Sequence, residues 1–207
     1  MYVPARFRES DPAVLRAFLR EHSFATLVTI DALRPIATHL PLLVRDTREG
    51  GVALLGHVSR ENPQWKTFDP HAEALVIFQG PHTYISAAWY KAAGVPTWNY
   101  MSVHAYGVPR LVEGPELRGL LDELVQLHES RSNARSRYSL AGLPEGYVEG
   151  MMKGIVGFSI AVTRLEASFK LSQNADADDR ENVIRGLQRR GDADSARIAD
   201  AMARRRA

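Results

Sequence analysis

The segment "TWNYMSVHAYG", Thr97–Gly107, decides the fold because two kinds of side chain alternate along it. In a β-strand, successive side chains point to opposite faces. One face would then carry Asn99, Met101, Val103 and Ala105, and the other Trp98, Tyr100, Ser102, His104 and Tyr106. The first set is typical of a core. The second is too aromatic for solvent and too polar for a dry core, so it indicates either partners within the fold or a dimer, or the lining of a ligand site.

Other β-rich segments surround this strand, with short polar turns between them. They are "FATLVTID" from Phe24, "PIATHLPLLVRD" from Pro35, "GVALLGHV" from Gly51, "EALVIFQG" from Glu73, "TYISAAWY" from Thr83 and "GIVGFSIAVTRLEASFKL" from Gly154. Most follow one another without the crossover helices that a parallel sheet requires. The pattern predicts an α+β fold, predominantly antiparallel, built as a β-barrel or sandwich with peripheral helices.

Two helices are predicted at about residues 11–22 and 115–130. The first follows a cap at Ser10 or Asp11, and the second carries a stripe of leucines at helical spacing. Beyond the last strand, the tail predicts two short helices separated at Gly191. We therefore expect a barrel domain over residues 1–175 and a helical tail over residues 176–207.

Composition excludes several classes of protein. The 207 residues include no Cys, so disulfides and thiolate chemistry are ruled out. With 26 Lys and Arg against 24 Asp and Glu, the net charge does not predict binding to nucleic acid. The first residues are charged where a secretory signal would be apolar, and no window reaches membrane-spanning length. These features predict a cytoplasmic protein without membrane segments.

No metal site or catalytic residue is predicted. His39, His57, His82 and His104 fall in the β-region, but none has the helical spacing or neighbouring carboxylate of a metal-binding motif. No serine stands in a nucleophile elbow, and no glycine-rich nucleotide loop occurs.

Two donor clusters are better candidates for a binding site. "GHVSRENPQW" places His57, Ser59, Arg60 and Asn62 after a strand, and "FKLSQN" ends the last strand with Lys170, Ser172 and Gln173. Arginine forks, hydroxyls and amides that converge at a strand end suit a phosphate. The alternative for both segments is a polar turn with a surface cation.

Six motifs in register carry a family resemblance: "MYVPARF", "GHVSRENPQW", "GPHTYISAAWY", "VPTWNYMSVHAYG", "GIVGFSI" and "KLSQN". From Met1 to about Leu187, the chain resembles the PaiB family of FMN-binding negative transcriptional regulators. The resemblance implies a split β-barrel of the pyridoxamine-phosphate-oxidase-like kind. It also implies a homodimer that binds FMN between its protomers.

The resemblance also implies which residues approach FMN. They are Thr38, His39, Leu40, Pro41, Ser59, Arg60, Asn62, Tyr84, Ser86, Lys170, Ser172 and Gln173. His57 of the first donor cluster, with Trp98 and Tyr100 of the aromatic face, completes the predicted FMN site. The chain departs from the family pattern at Ala87 and Ala88, where Pro and Ser are usual, and at Ala175, where Arg is usual.

For function, the resemblance implies a transcriptional regulator with DNA as a partner. The tail has eight arginines from Asp176 onward but also seven acidic residues. Its net positive charge is therefore too small to favour binding to the phosphates of DNA. The alternative is an FMN-dependent oxidoreductase or small-molecule oxidase of the same superfamily. Because a flavin carries its own redox chemistry, the lack of an acid, base or nucleophile motif does not decide between them.

Overall fold

In the described part of the chain, seven antiparallel strands form a single sheet. The computed structural model describes residues 1–132, 135 and 137–205, so the end of the predicted tail, at Arg206 and Ala207, lies outside the described residues. The strands are β1 Phe24–Asp31, β2 Arg34–Pro41, β3 Leu43–Asp46, β4 Val52–Ser59, β5 Ala74–Ile85, β6 Thr97–Val112 and β7 Ile155–Lys170. Their order in the sheet is β2-β1-β5-β6-β7-β4-β3. The predicted split-barrel class of α+β fold is confirmed.

Strand β6 contains the segment from which the fold was predicted, and its two faces differ as expected. Asn99 and Val103 are fully buried and Ala105 is nearly so, although Met101 on the same face is only half-buried. On the other face, Trp98 is 53% exposed. Tyr100, His104 and Tyr106 are half-buried, although Ser102 is buried with the core face.

Strand β5 differs from the prediction, which placed two strands on either side of Gly80 and Pro81. The structure has one continuous strand there, and Gly80 and Pro81 are both buried, so the alternation of buried residues changes phase at this point. A Cβ on Gly80 would lie 2.7 Å from the Phe18 ring. The glycine therefore allows close packing, and the phase change lets the strand continue past a proline.

Among the described residues, five α-helices accompany the sheet: α1 Pro12–Glu21, α2 Gly114–Ser132, α3 Tyr147–Met152, α4 Ala177–Arg190 and α5 Ala193–Arg204. Asp11 caps α1, since its Oδ1 accepts from the main-chain N–H of Ala13 at 2.8 Å. Gly191 adopts φ 75° after α4, which confirms the predicted break between the tail helices.

The chain divides into two compact units. Unit 1 contains Met1–Phe18, Gln79–His104 and the chain from Glu166, and unit 2 contains Leu19–Phe78 and Ala105–Leu165. The predicted boundary at residue 175 stays a prediction.

In unit 1, helices α4 and α5 bury the side chains of Val183, Leu187, Ile198 and Met202. The guanidinium of Arg190 lies 4.9 Å from the centre of the Trp89 ring and donates to Thr83 Oγ1 at 2.9 Å. These contacts fix the C-terminal end of α4 within this unit.

In unit 2, helix α2 packs on the sheet through the predicted leucine stripe. Its buried cluster consists of Leu55, Val112, Leu117, Leu120 and Leu124. Across the described residues, no helix is both long and apolar enough to cross a membrane. The same residues contain no group of three or more His, Cys, Asp or Glu side chains arranged to hold a metal ion.

Candidate functional site

Arg60 follows β4 directly and is held in place by the chain that leads into β7. Its Nε donates to the carbonyl of Lys153 at 2.7 Å, its Nη2 donates to the carbonyl of Ile155 at 2.9 Å, and its main-chain N–H donates to Gly154. Three of the five guanidinium N–H groups remain, and within the described part of the chain no carboxylate pairs with Arg60. The side chain is therefore a positioned cation with donors to spare.

Asn62 and Thr38, both predicted site residues, are brought together by the fold. The Asn62 amide donates to Thr38 Oγ1 at 2.8 Å, and its oxygen accepts from the main-chain N–H of Gln64 at 3.0 Å. Asn62 thereby caps the short 3₁₀ helix Pro63–Thr67. Its amide stabilises the loop that carries Arg60.

The other predicted residues on β2 make contacts within unit 2. His39 Nδ1 lies 2.8 Å from Thr26 Oγ1 on the neighbouring strand. Leu40 is buried, and its side chain lies against Gly56, while Pro41 ends the strand half-buried.

His57 lies on the face of β4 that α2 covers. It stands opposite Gly157 in the antiparallel register, and a Cβ on Gly157 would lie 2.6 Å from Leu117 of α2. Opposite residues of an antiparallel pair share a face. His57 Nδ1 is buried without a hydrogen-bond partner among the described residues, and burial lowers the pKa of the imidazole. Ser59, two residues on, occupies the same face of the strand.

We expect His57 to make the protein less stable in acid. Burial lowers the pKa of the folded-state imidazole below its ordinary value of 6.5, so the unfolded chain binds a proton more readily. The contribution of the neutral His57 to stability is then fully present above pH 6.5, and it is lost as the pH falls through the folded-state pKa. Urea unfolding of His57→Gln between pH 7.5 and 5 should show a weaker loss than the parent protein.

The same replacement at His71, an exposed loop residue, provides the matched control and should leave the pH dependence unchanged. The pKa of His104 is also lowered, chiefly by burial, so a residual slope is expected in His57→Gln. An unaltered slope in that variant would contradict the role given to His57.

Exposed aromatic side chains lie together on β5 and β6 in unit 1. Tyr84 meets the Trp98 ring edge-on at 6.1 Å between ring centres, and the two are 41% and 53% exposed. Tyr100 is half-buried, and its hydroxyl accepts from Ser168 Oγ at 3.2 Å. Ser86 caps a 3₁₀ turn through the main-chain N–H of Ala88. The Tyr84–Trp98 pair offers an aromatic surface on which a planar ring or a second subunit could pack.

A cleft of about 300 Å³ in unit 1 contains Lys170 and Ser172. Lys170 Nζ donates to Thr97 Oγ1, and burial lowers the pKa of the ammonium. Ser172 is itself buried, with a positive φ of 58°, and its hydroxyl bonds to the Asn99 amide. The side-chain amide of Gln173 stabilises the turn after β7. Its oxygen accepts from the main-chain N–H of Leu171, and its nitrogen donates to the carbonyl of Phe169.

Sequence reasoning missed other residues that line this cleft. Tyr90 and Asp179 contribute to its wall, as does the loop from Ala92 to Val95. Asp179 lies nine positions beyond Lys170 in the first turn of α4. Nothing in the local pattern brings it to the cleft, because that placement depends on how α4 packs.

Comparison with known proteins agrees with this fold. The sequence matches the family described as "Putative FMN-binding domain" over residues 1–164, which is most of the chain. It is 39% identical over 202 residues to "Protease synthase and sporulation protein PAI 2" of Bacillus subtilis, covering 98% of this chain and 96% of that protein.

Solved structures are similar in fold at low sequence identity. The FAD and heme binding protein from Mycobacterium smegmatis superposes with a TM-score of 0.61 at 18% identity, over 84% of this chain and 78% of that one. The flavocytochrome Anf3 from Azotobacter vinelandii superposes with a TM-score of 0.60 at 16% identity, over 84% of this chain and 75% of that one.

The resemblance drawn from the six motifs is thereby confirmed, and FMN, the predicted cofactor, is the one for which the matched family is described. That match ends before Lys170, whereas the comparison with the Bacillus protein extends over nearly the whole chain. The chain belongs to the FMN-binding domain family that includes the PaiB proteins.

Proposed function

We propose that this protein is a homodimeric, FMN-binding transcriptional regulator of the PaiB type. The observation that carries the proposal is Arg60, a guanidinium fixed by two backbone carbonyls and paired with no carboxylate in the described chain. A positioned arginine with free N–H groups is suited to the phosphate of FMN. Membership of an FMN-binding family supplies the identity of the ligand.

The donor chemistry around Arg60 fits an anionic cofactor group. The guanidinium offers three unengaged N–H groups, and the Thr38–Asn62 hydrogen bond holds its loop. The cleft at Lys170 fits a phosphate less well, because Asp179 also lines it and would repel a group that carries about −1.5 to −2 charges. In this proposal Lys170 and Ser172, which line that cleft, are not FMN contacts, and the other predicted contacts stay predictions.

In this proposal the protein binds and orients FMN, and Arg60 holds its phosphate. FMN, when bound, supplies reversible electron and hydride transfer. The exposed Tyr84–Trp98 pair supports either stacking of a planar group or the association of a second subunit.

The regulatory part of the proposal is supported by the full-length similarity to a protein named for protease synthesis and sporulation. Some tail arginines are less available to DNA. Arg180 donates to the carbonyls of Leu171 and Met202, and Arg190 donates to Thr83 and Tyr84. Arg185 and Arg189 on α4 and Arg197 and Arg204 on α5 are exposed, so we expect any direct DNA contact to involve these two helices.

The visible spectrum of the purified protein tests the cofactor. We expect a yellow flavin spectrum, or one that develops when FMN is added and the excess removed, with a chromophore released on denaturation that co-migrates with FMN. A colourless protein that neither retains FMN nor quenches its fluorescence would reject flavin binding. Rapid bleaching by reduced nicotinamide cofactors, with turnover, would favour the oxidoreductase alternative.

The regulator and the dimer need separate measurements. Light scattering should give twice the mass of 23.0 kDa. Binding to the DNA upstream of its own gene should weaken as salt rises, because binding phosphates releases counterions. The absence of binding at low salt, with and without FMN, would remove the direct-repressor role.

A further inference from the structure

We propose that the Lys170 cleft binds a small dipolar molecule, namely a free α-amino acid with an apolar side chain. The proposal does not depend on the Arg60 phosphate contact proposed above. The proposal rests on two opposite charges and an apolar wall that share one cleft of about 300 Å³.

Lys170 provides the positive end of the cleft. Its ammonium has three N–H groups, of which one is directed at Thr97 Oγ1. Among the described residues no carboxylate forms an ion pair with it, and burial has removed part of its hydration, as its lowered pKa reflects. A half-buried ammonium without a counter-ion favours a carboxylate ligand.

Asp179 provides the negative end. One oxygen of its carboxylate accepts from the main-chain N–H of Lys91 at 2.8 Å, and the other takes no hydrogen bond from the described residues. The Lys91 ammonium is bound by the neighbouring Asp178, which does not line the cleft. The free oxygen of Asp179 can therefore accept from an ammonium group.

The two charged groups are not paired with each other. Lys170 and Asp179 line the same cleft but form no ion pair within the described chain, so their nitrogen and oxygen atoms are separated by more than 4.0 Å. A molecule with one charge of each sign could neutralise both. An anion alone would meet Asp179, and a cation alone would meet Lys170, so each would bind less well.

The rest of the wall is largely apolar. Ala92, Ala93 and Val95 line it together with Tyr90, and Gly94 packs so closely on the Tyr90 ring that a Cβ there would lie 2.6 Å from it. Small and aliphatic side chains on this loop favour an apolar ligand side chain. Asn174 adds an exposed amide near the charged groups.

Calorimetric titration of the full chain, with and without FMN, tests the proposal with L-leucine as the probe. Two analogues remove one charge each: 4-methylpentanoate lacks the ammonium group and 3-methylbutylamine lacks the carboxylate. We expect L-leucine to bind at least about tenfold more tightly than either analogue, since each loses one charge-assisted contact.

Variants assign the two ends. Lys170→Gln and Asp179→Asn should each lower the affinity for L-leucine by about tenfold. Asp179→Asn should not lower the affinity for 4-methylpentanoate, which has no ammonium group. Asp178→Asn is the matched control, since it is the same change one position earlier in the first turn of α4, outside the cleft. It should leave L-leucine affinity within about twofold of the parent value.

Three results would overturn the proposal: no binding of L-leucine by the folded parent protein, equal affinities for L-leucine and 4-methylpentanoate, or a tenfold loss of FMN affinity in Lys170→Gln. The last would assign the cleft to FMN instead. Failure of the protein to bind FMN would reject the flavin function but leave the L-leucine result intact, so the two proposals can fail separately.

Discussion

Replacing Gly107 by Ala is expected to lower the free energy of unfolding by about 3 kcal/mol or more, or to prevent folding. A Cβ at this position would lie 2.2 Å from the carbonyl oxygen of Ala161 and 2.7 Å from Ile160 Cγ2. The nearest atom belongs to the backbone of β7, the strand beside β6 in the sheet, so no side-chain rotation can relieve the clash. The two strands would have to separate locally.

Gly119 provides a matched control for this change. It lies inside α2, and a Cβ there would meet nothing within 4 Å. Since alanine favours the helix over glycine by about 1 kcal/mol, Gly119→Ala should stabilise the protein slightly. Urea unfolding followed by circular dichroism measures both variants. A Gly107→Ala protein as stable as the parent would show that the β6–β7 contact is not as close as described.

Replacing Arg60 by Ala should weaken FMN binding about 10- to 150-fold, which corresponds to the roughly 1.5 to 3 kcal/mol of a hydrogen bond to a charged group. The expected loss arises because the alanine variant removes the guanidinium that we assign to the phosphate. The FMN affinity of Arg60→Lys should lie between those of the parent protein and Arg60→Ala, since an ammonium keeps the charge but not the planar arrangement of donors. Fluorescence quenching of free FMN measures the affinities.

Arg60 also donates to the carbonyls of Lys153 and Ile155, so a general disturbance of the loop must be separated from a lost phosphate contact. Riboflavin, which lacks the phosphate, makes this distinction. Arg60→Ala should reduce the preference for FMN over riboflavin, whereas Arg34→Ala, at an exposed arginine at the start of β2, should not. An unchanged preference in Arg60→Ala would remove the residue from the phosphate site.

Much of the secondary structure could be predicted because its causes are local. The alternation along β6, the leucine stripe of α2 and the break at Gly191 each depend on neighbouring residues, and the structure confirms them. The continuity of β5 through Gly80–Pro81 was not predicted, because glycine and proline usually interrupt a strand. The close packing of Phe18 on Gly80 joins residues that are remote in sequence. A turn at Ala32–Leu33 was predicted, since it lies between two predicted strands, but its backbone conformation could not be. Both residues adopt positive φ, which their side chains disfavour, and the paired strands β1 and β2 impose it.

The candidate site shows the same division. Sequence reasoning singled out Arg60 and Lys170 as cations near strand ends, but it could not assign their partners. In the structure the Asn62 amide donates a hydrogen bond to Thr38, and both ends of the Gln173 amide form hydrogen bonds within their own turn. These groups are therefore part of the support of the loops that carry the cations.

By itself, the sequence determined the alternating faces of β6, the antiparallel α+β class and the family, since each follows from local periodicity or from motifs in register. Only the tertiary structure decided that α2 covers the face of His57 and that Asp179 shares a cleft with Lys170. The reason is physical. Periodicity specifies which side of an element is apolar, but the residues that meet across elements are selected by strand register and helix packing, which arise only when distant parts of the chain assemble.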